Sequence, residues 1–264
     1  MIFWPKRKAG KSETWHERIE MNKVVSFEYK VQPMDIGFRE TIRFTQMGAY
    51  LLHAAGQHAD GNNFGVATLQ PQNLTWVLSR FAVEMFRYPA TEERFFVETW
   101  IEDFGRVFTT RNFKVTDEAG SIIGAGCAVW CMLDLTVRKA VDLKSKEEYK
   151  HFATGIPCLI ERPAKVAGLA SEPVSRHRVK YSDIDFNRHT NSMKYLEWMI
   201  DLFPMEVYLN KQVKRMDINY LNEALFGEVV DICQELTASG RCVFDIRRGE
   251  EPICRAEILF ENVI

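Results

Sequence analysis

Apolar positions along the chain fall into two stretches of the same design. In the first, Met47, Tyr50, Leu51, Ala54 and Ala55 recur at i, i+3, i+4, i+7 and i+8, the spacing of one buried helix face. Runs rich in β-branched and aromatic residues follow at 73–86, 94–104, 106–117 and 121–135, and they read as strands. Glu118-Ala119-Gly120 between the last two reads as a hairpin turn. In the second stretch, 177–186 leads into a helix over 191–203 with Leu196, Met199, Ile200 and Phe203 on one face. Strand-like runs then come at 212–221, 227–236, 241–248 and 252–261, with turn signals at 238–240 and 247–252.

The two stretches also share text. Asp35-Ile36-Gly37-Phe38 parallels Asp183-Ile184-Asp185-Phe186, and each is followed on its helix by a Tyr-Leu pair, Tyr50-Leu51 and Tyr195-Leu196. Between them, 141–176 carries charges, Pro157, Pro163 and Pro173 with little periodicity, and reads as a connector. The expected organisation is a tail over 1–22, one half over 23–140, the connector, and a second half over 177–264. Two copies of strand–helix–four strands predict an α+β protein with two antiparallel sheets, each wrapped around a central helix. That is a tandem (double) hotdog fold. The nearly continuous apolar run 121–135 suits a sheet covered on both faces. The competing reading is an α+β protein whose halves resemble each other by coincidence.

Composition narrows the class. The 264 residues are 46% hydrophobic, enough for a sizeable core, and a net charge of −2 gives no global basic excess. Nucleic acid is therefore not an expected partner. The six cysteines at 127, 131, 158, 233, 242 and 254 form no CxxC pair and mostly sit in apolar runs, as in a reduced protein without a metal site. The N-terminal text lacks the roughly 7–15 apolar residues of a signal peptide. No run approaches the about 18–20 apolar residues of a membrane span. The cytoplasm is the expected compartment. Lys6-Arg7-Lys8 reads as a solvated tail, or as a contact for an acidic partner.

Chemistry concentrates in one place. Asp183 to Asn191 holds two aspartates, two asparagines, an arginine and a histidine just before the second helix. Where that copy has Asp185, Asn187 and His189, the first has Gly37, Arg39 and Thr41. Reactive groups in only one of two related halves are what divergence after duplication leaves behind. An N-cap at Thr190 or Asn191 would account for one polar residue, but not for three at i, i+2 and i+4 on one side of an extended loop.

The segment D-I-D-F-N-R-H-T-N-S-M-K-Y-L (183–196) resembles the D-x-D-x-N-x-H-x-N-x-x-K-Y motif of acyl-acyl-carrier-protein thioesterases. The stretch 73–89 resembles the family's N-L-x-W-V-x-x-R…RYP text, and the surroundings of Ala128-Val129-Trp130 resemble its V-W-V-M strand. The likeness spans about residues 27–262. It implies a cofactor-free hydrolase that releases fatty acids from the phosphopantetheine thioester of acyl carrier protein. Asp185, Asn187 and His189 fall on the family's Asp, Asn and His. The family's catalytic Glu, followed by Cys, maps to Glu223, but Ala224 comes next here, so a thiolate nucleophile is not expected.

What the resemblance implies for mechanism is a carboxylate-and-water site, since no G-x-S-x-G elbow occurs. Asp185 either attacks the thioester carbonyl or orients water, and Asn187 positions the carboxylate or the carbonyl. His189 and Glu223 share the proton work, and backbone N–H groups at the helix start receive the oxyanion. The acyl chain is expected against Met47, Tyr50, Leu51, Trp76, Leu78, Phe81 and Trp130, all of which also qualify as ordinary core. Arg188, Lys194 and the Lys144–Lys150 region are candidate contacts for the acidic carrier protein. Monomer and homodimer both remain open. The rival functions are an acyl-CoA thioesterase, a non-hydrolytic acyl-binding hotdog protein and a hotdog dehydratase.

Overall fold

The computed structural model describes residues 23–263; the tail 1–22, with its Lys6–Lys8 run, lies outside the described residues. The first half runs β1 (Val24–Lys30), α1 (Phe44–Gly61), the one-turn α2 (Val66–Leu69), β2 (Leu74–Met85), β3 (Arg94–Phe104), β4 (Phe108–Asp117), β5 (Ile122–Asp134) and the short β6 (Lys139–Ala140). The connector holds α3 (Glu147–Lys150). The second half runs β7 (Ser175–Arg178), α4 (Ser192–Ile200), α5 (Met205–Asn210), β8 (Lys211–Tyr220), β9 (Val229–Leu236), β10 (Arg241–Arg248) and β11 (Glu251–Asn262).

The 3.6-residue pattern places α1 correctly and understates its length. Met47, Leu51, Ala54 and Ala55 are buried, and the same stripe continues through Phe44, Gly48, His58 and Ala59. This face packs on Phe81, Val83, Phe95, Val97 and Phe113 of the sheet. The approach is close: a Cβ on Gly126 would lie 2.9 Å from Leu51 Cδ1, so small residues along β5 let the helix sit down on the strand. In the second half α4 buries Tyr195, Leu196, Trp198 and Met199 in the same core cluster as Phe244, Ile246 and Ile258. The two helices meet where a Cβ on Gly48 would lie 2.7 Å from Met193 Sδ.

The two expected sheets are continuous. The strand order is β1-β3-β4-β5-β2-β8-β11-β10-β9-β7, with β6 added to β5. The halves join at β2–β8, antiparallel, through the pairs Arg80–Asn219, Ala82–Asp217 and Glu84–Arg215. Pairing these two strands satisfies two edges that would otherwise expose unpaired N–H and C=O groups. Ala82 and Asp217 thus mark an internal pseudo-twofold. Ladder irregularities fall at matching places on either side, at Ser79 in β2 and Lys214 in β8.

The connector is more than a link. It runs across the sheet face opposite the helices, where an irregular segment must find partners for its backbone. Polar side chains in the strands supply them. Asp217 accepts from Ala164 N–H at 2.9 Å, Asn219 from Val166 N–H at 2.9 Å, and Asp245 from Leu169 N–H at 3.0 Å. In the first half the Trp100 indole donates to Ile156 O at 2.8 Å. Cys158 Sγ donates to Gly126 O at 3.3 Å, so the connector also lies against β5, whose residues 123–129 are buried on both faces as their apolar run predicts. Among the described residues no helix is long and apolar enough to cross a membrane.

Candidate active site

The loops before the two helices are built alike. Asp35 Oδ2 accepts Gln32 N–H and Asp183 Oδ2 accepts Lys180 N–H, each at 2.8 Å. Gly37 N–H donates to Thr41 O at 3.0 Å, and Asp185 N–H to His189 O at 2.9 Å. Glu40 and Arg188 take the same left-handed conformation, φ 59° and 68°. Asp185 therefore stands where the first copy has Gly37, and His189 where it has Thr41. A second segment closes each loop: Ile42 N–H donates to Pro89 O and Thr190 N–H to Ala224 O, both at 3.0 Å. That match aligns Glu223 with Tyr88.

The fold thus brings Glu223, 34 residues downstream, to the histidine. His189 Nε2 lies 3.4 Å from Glu223 Oε2, and Arg138 Nη2 of the first half lies 3.6 Å from the same oxygen. Asp185 Oδ1 accepts Asn187 N–H at 2.8 Å, which sets the turn. Its other oxygen has no hydrogen bond among the described residues. The Asn187 side chain is exposed beside it.

Neighbouring groups hold this loop in place. Ala224 is sealed, donates its N–H to the Tyr195 hydroxyl at 3.1 Å, and accepts from Thr190 Oγ1 at 2.8 Å. Burial pushes the Tyr195 phenol up to about 12. Asp183 accepts from His177 at 3.0 Å, whose ring stacks on Trp198 at 4.1 Å. Burial works to raise the Asp183 pKa, but the Lys180 N–H and His177 outweigh it and hold the carboxyl below its ordinary range. At the start of α4, Asn191 Oδ1 caps Met193 N–H and Asn191 O takes Lys194 N–H. Ser192 N–H has no hydrogen bond among the described residues.

A cavity of about 140 Å³ lies beside the later turns of α1. Trp76 and Trp130 line it; the other expected chain contacts are elsewhere. Met47, Leu51 and Phe81 are fully buried in the core beneath, Leu78 packs at the core's edge, and Tyr50 donates to Asp35 Oδ2 at 2.7 Å. The helical stripe identified buried positions but not which of them face a void. The walls missed by sequence reasoning include Leu52, Ala55, Gly56, Phe64, Ile101 and Arg111. Arg111 carried no separate signal in the sequence, since β4 also holds Lys114 and several other polar residues. Burial pushes its pKa down to about 9, and Nη1 lies 3.0 Å from His58 Nδ1.

Of the expected basic contacts, Lys194 pairs with Glu197 at 2.6 Å, Lys146 with Glu148 at 3.7 Å, and Lys150 with Glu147. Arg188, next to the site, makes no ion pair among the described residues. No group of three or more His, Cys, Asp or Glu side chains among the described residues is arranged to hold a metal ion.

Residues 22–150 match the family model described as the acyl-ACP thioesterase N-terminal domain, and 168–262 match the C-terminal domain. The solved acyl-ACP thioesterase of Bacteroides thetaiotaomicron is 36% identical, with a TM-score of 0.85 over 92% of this chain and 100% of that one. The 12:0-ACP thioesterase of Umbellularia californica, at 19% identity, shares the fold with a TM-score of 0.78 over 91% of this chain and 98% of its own. The chloroplastic oleoyl-acyl carrier protein thioesterase of Coriandrum sativum is 25% identical over 222 residues, 77% of this chain. The chain spans about 60% of that relative's length.

Proposed function

The chain belongs to the acyl-ACP thioesterase family, and from that premise we propose that it hydrolyses fatty acyl-ACP thioesters to free fatty acid and holo-carrier protein. The observation that carries the proposal is the His189–Glu223 pair standing beside Asp185 in the one half that holds this polar set. Water is the attacking group. Asp185 orients it through the oxygen left without a partner, with Asn187 positioning the carbonyl.

As water adds to the thioester carbon, its proton passes to His189, and Glu223 steadies the imidazolium. Ser192 N–H, at the positive end of α4, is the donor for the oxyanion. The tetrahedral intermediate collapses with loss of the C–S bond, and His189 returns the proton to the departing thiolate. Direct attack by Asp185 is the alternative. Its attack would expel the thiolate and leave a mixed acyl–Asp185 anhydride, which water then opens; opening at the Asp185 carbon places ¹⁸O from labelled water in that carboxylate after a single turnover, a label that oriented water never leaves there.

The acyl chain enters along Leu52, Ala55, Trp76 and Trp130. Support comes from the pseudo-twofold: Ile200 and Phe203, which correspond to Leu52 and Ala55, line one cavity together with the loop that corresponds to 185–192. The six free cysteines fit a reducing compartment, and we place the reaction in the cytoplasm. Thiol release from matched acyl-ACP and acyl-CoA ladders tests the proposal, with His189→Ala beside the wild type. Hydrolysis of the carrier-protein series, lost in the variant, is expected. Faster CoA turnover would reassign the carrier, and thioester retention would remove hydrolysis altogether.

A further inference from the structure

The loop before α1 frames a second cavity of about 490 Å³ that the catalytic reading leaves unused. It is the pseudo-twofold image of the active-site mouth. Gly37–Phe44 stand for Asp185–Ser192, and Tyr88 stands for Glu223. The coincident bulges at Ser79 and Lys214 align Lys211 with Trp76.

The shape has survived, and the chemistry has changed sign. The three groups assigned to proton work and water are replaced by Gly37, Thr41 and Tyr88, so this copy has nothing with which to activate water. Cations have come in: Arg39 for Asn187, Arg43 for Asn191 and Lys211 for Trp76, all on the cavity wall. Arg39 is spent on the Tyr208 and Leu209 carbonyls, and Arg43 Nη2 on Met34 O at 2.6 Å. Lys211 is exposed and makes no ion pair among the described residues. Asp201 is the one carboxylate on the wall, and burial raises its pKa.

The remaining surface is apolar. Phe44, Tyr88, Ile200, Phe203 and Val213 form the wall, and Phe38 and Met205 stand exposed at the lip, 53% and 48% accessible. An apolar pocket with a cationic mouth complements an anionic head on a hydrocarbon chain. We infer that this cavity is a non-catalytic binding site for a long-chain carboxylate, seated by Lys211 and Arg43. The ligand class is the product of the proposed hydrolysis, so its identity rests on that reading; the site itself does not.

Calorimetric titration of the full chain with dodecanoate, kept below its micelle concentration, tests this directly. The wild type is compared with Arg43→Gln/Lys211→Glu, with the milder Lys211→Gln, and with Gly56→Phe, which fills the cavity on α1. Two dodecanoates per chain are expected in the wild type and one in the double variant, with its thermal midpoint checked. Lys211→Gln should weaken one site by roughly tenfold, the scale of a lost charge-assisted hydrogen bond. A single site that ignores Lys211 and disappears in Gly56→Phe would overturn the inference and leave the hydrolysis reading standing. A single site with the opposite pattern would support the inference and count against the α1 cavity as the acyl channel. No dodecanoate binding would overturn it as well.

Discussion

His189 Nε2 faces Glu223 Oε2 at 3.4 Å across two loops held together by Thr190 and Ala224. The two side chains come from segments on either side of α4, α5 and β8, and the shared backbone bonds to Ala224 set their spacing. If Glu223 steadies the imidazolium, His189→Ala and Asp185→Asn each lower kcat by about 10²-fold or more. Glu223→Gln lowers kcat with little change in KM, because it removes charge and keeps shape. Near-wild-type kcat in any of the three, measured by thiol release, removes that residue from the site.

The cavity along α1 gives a chain-length prediction. A Cβ built on Gly56 meets no atom within 4 Å, so a larger side chain there has room to grow into the void. Gly56→Phe should shift preference to shorter acyl chains. Each excluded methylene costs roughly fourfold in kcat/KM, from about 0.8 kcal/mol per buried CH₂. The shortest substrates should be spared. A uniform loss across the ladder would mean that the chain runs elsewhere.

The seam between the halves is held by a buried charge cluster. Arg215 makes two bonds to Asp217, at 2.8 and 3.0 Å, and reaches Glu84 across the β2–β8 junction at 3.2 Å. Asp217 also holds the connector through Ala164 N–H. Asp217→Ala leaves a buried guanidinium short of its main partner and should cost about 3 kcal/mol. Urea titration should show a lower midpoint at unchanged slope. An unchanged midpoint would mean that the cluster contributes specificity alone.

Acid sensitivity follows from Asp183. Its folded pKa lies below the unfolded value of roughly 3.9, so its contribution to stability is present above about pH 4 and is lost as pH falls through the folded pKa. Wild type should therefore lose stability more steeply than Asp183→Asn between about pH 4 and pH 2, although the variant starts lower. Parallel curves from denaturant midpoints would show that Asp183 titrates alike in both states.

Much of this protein was legible in its sequence because the relevant information is local. Two copies of a helix stripe followed by four alternating strands predict two sheet halves, each with a helix on one face, and β3 and β10 coincide with the runs at 94–104 and 241–248. The polar residues of 183–191 were visible because they break that pattern in one copy and not in the other. Glu223 needed the family likeness, since a polar residue at a turn carries no signal of its own.

The rest depended on contacts between distant segments. Asp217, Asn219 and Asp245 read as the solvent-facing positions of alternating strands, yet all three are buried because the connector crosses that face and presents its N–H groups to them. The join at β2–β8 depends on edges that match only once both halves are folded. Periodicity separates inside from outside, yet it cannot distinguish a sealed residue such as Met47 or Phe81 from a cavity wall such as Leu52 or Ala55. A void is defined by atoms from several elements at once, and only the tertiary structure determines where they fail to meet.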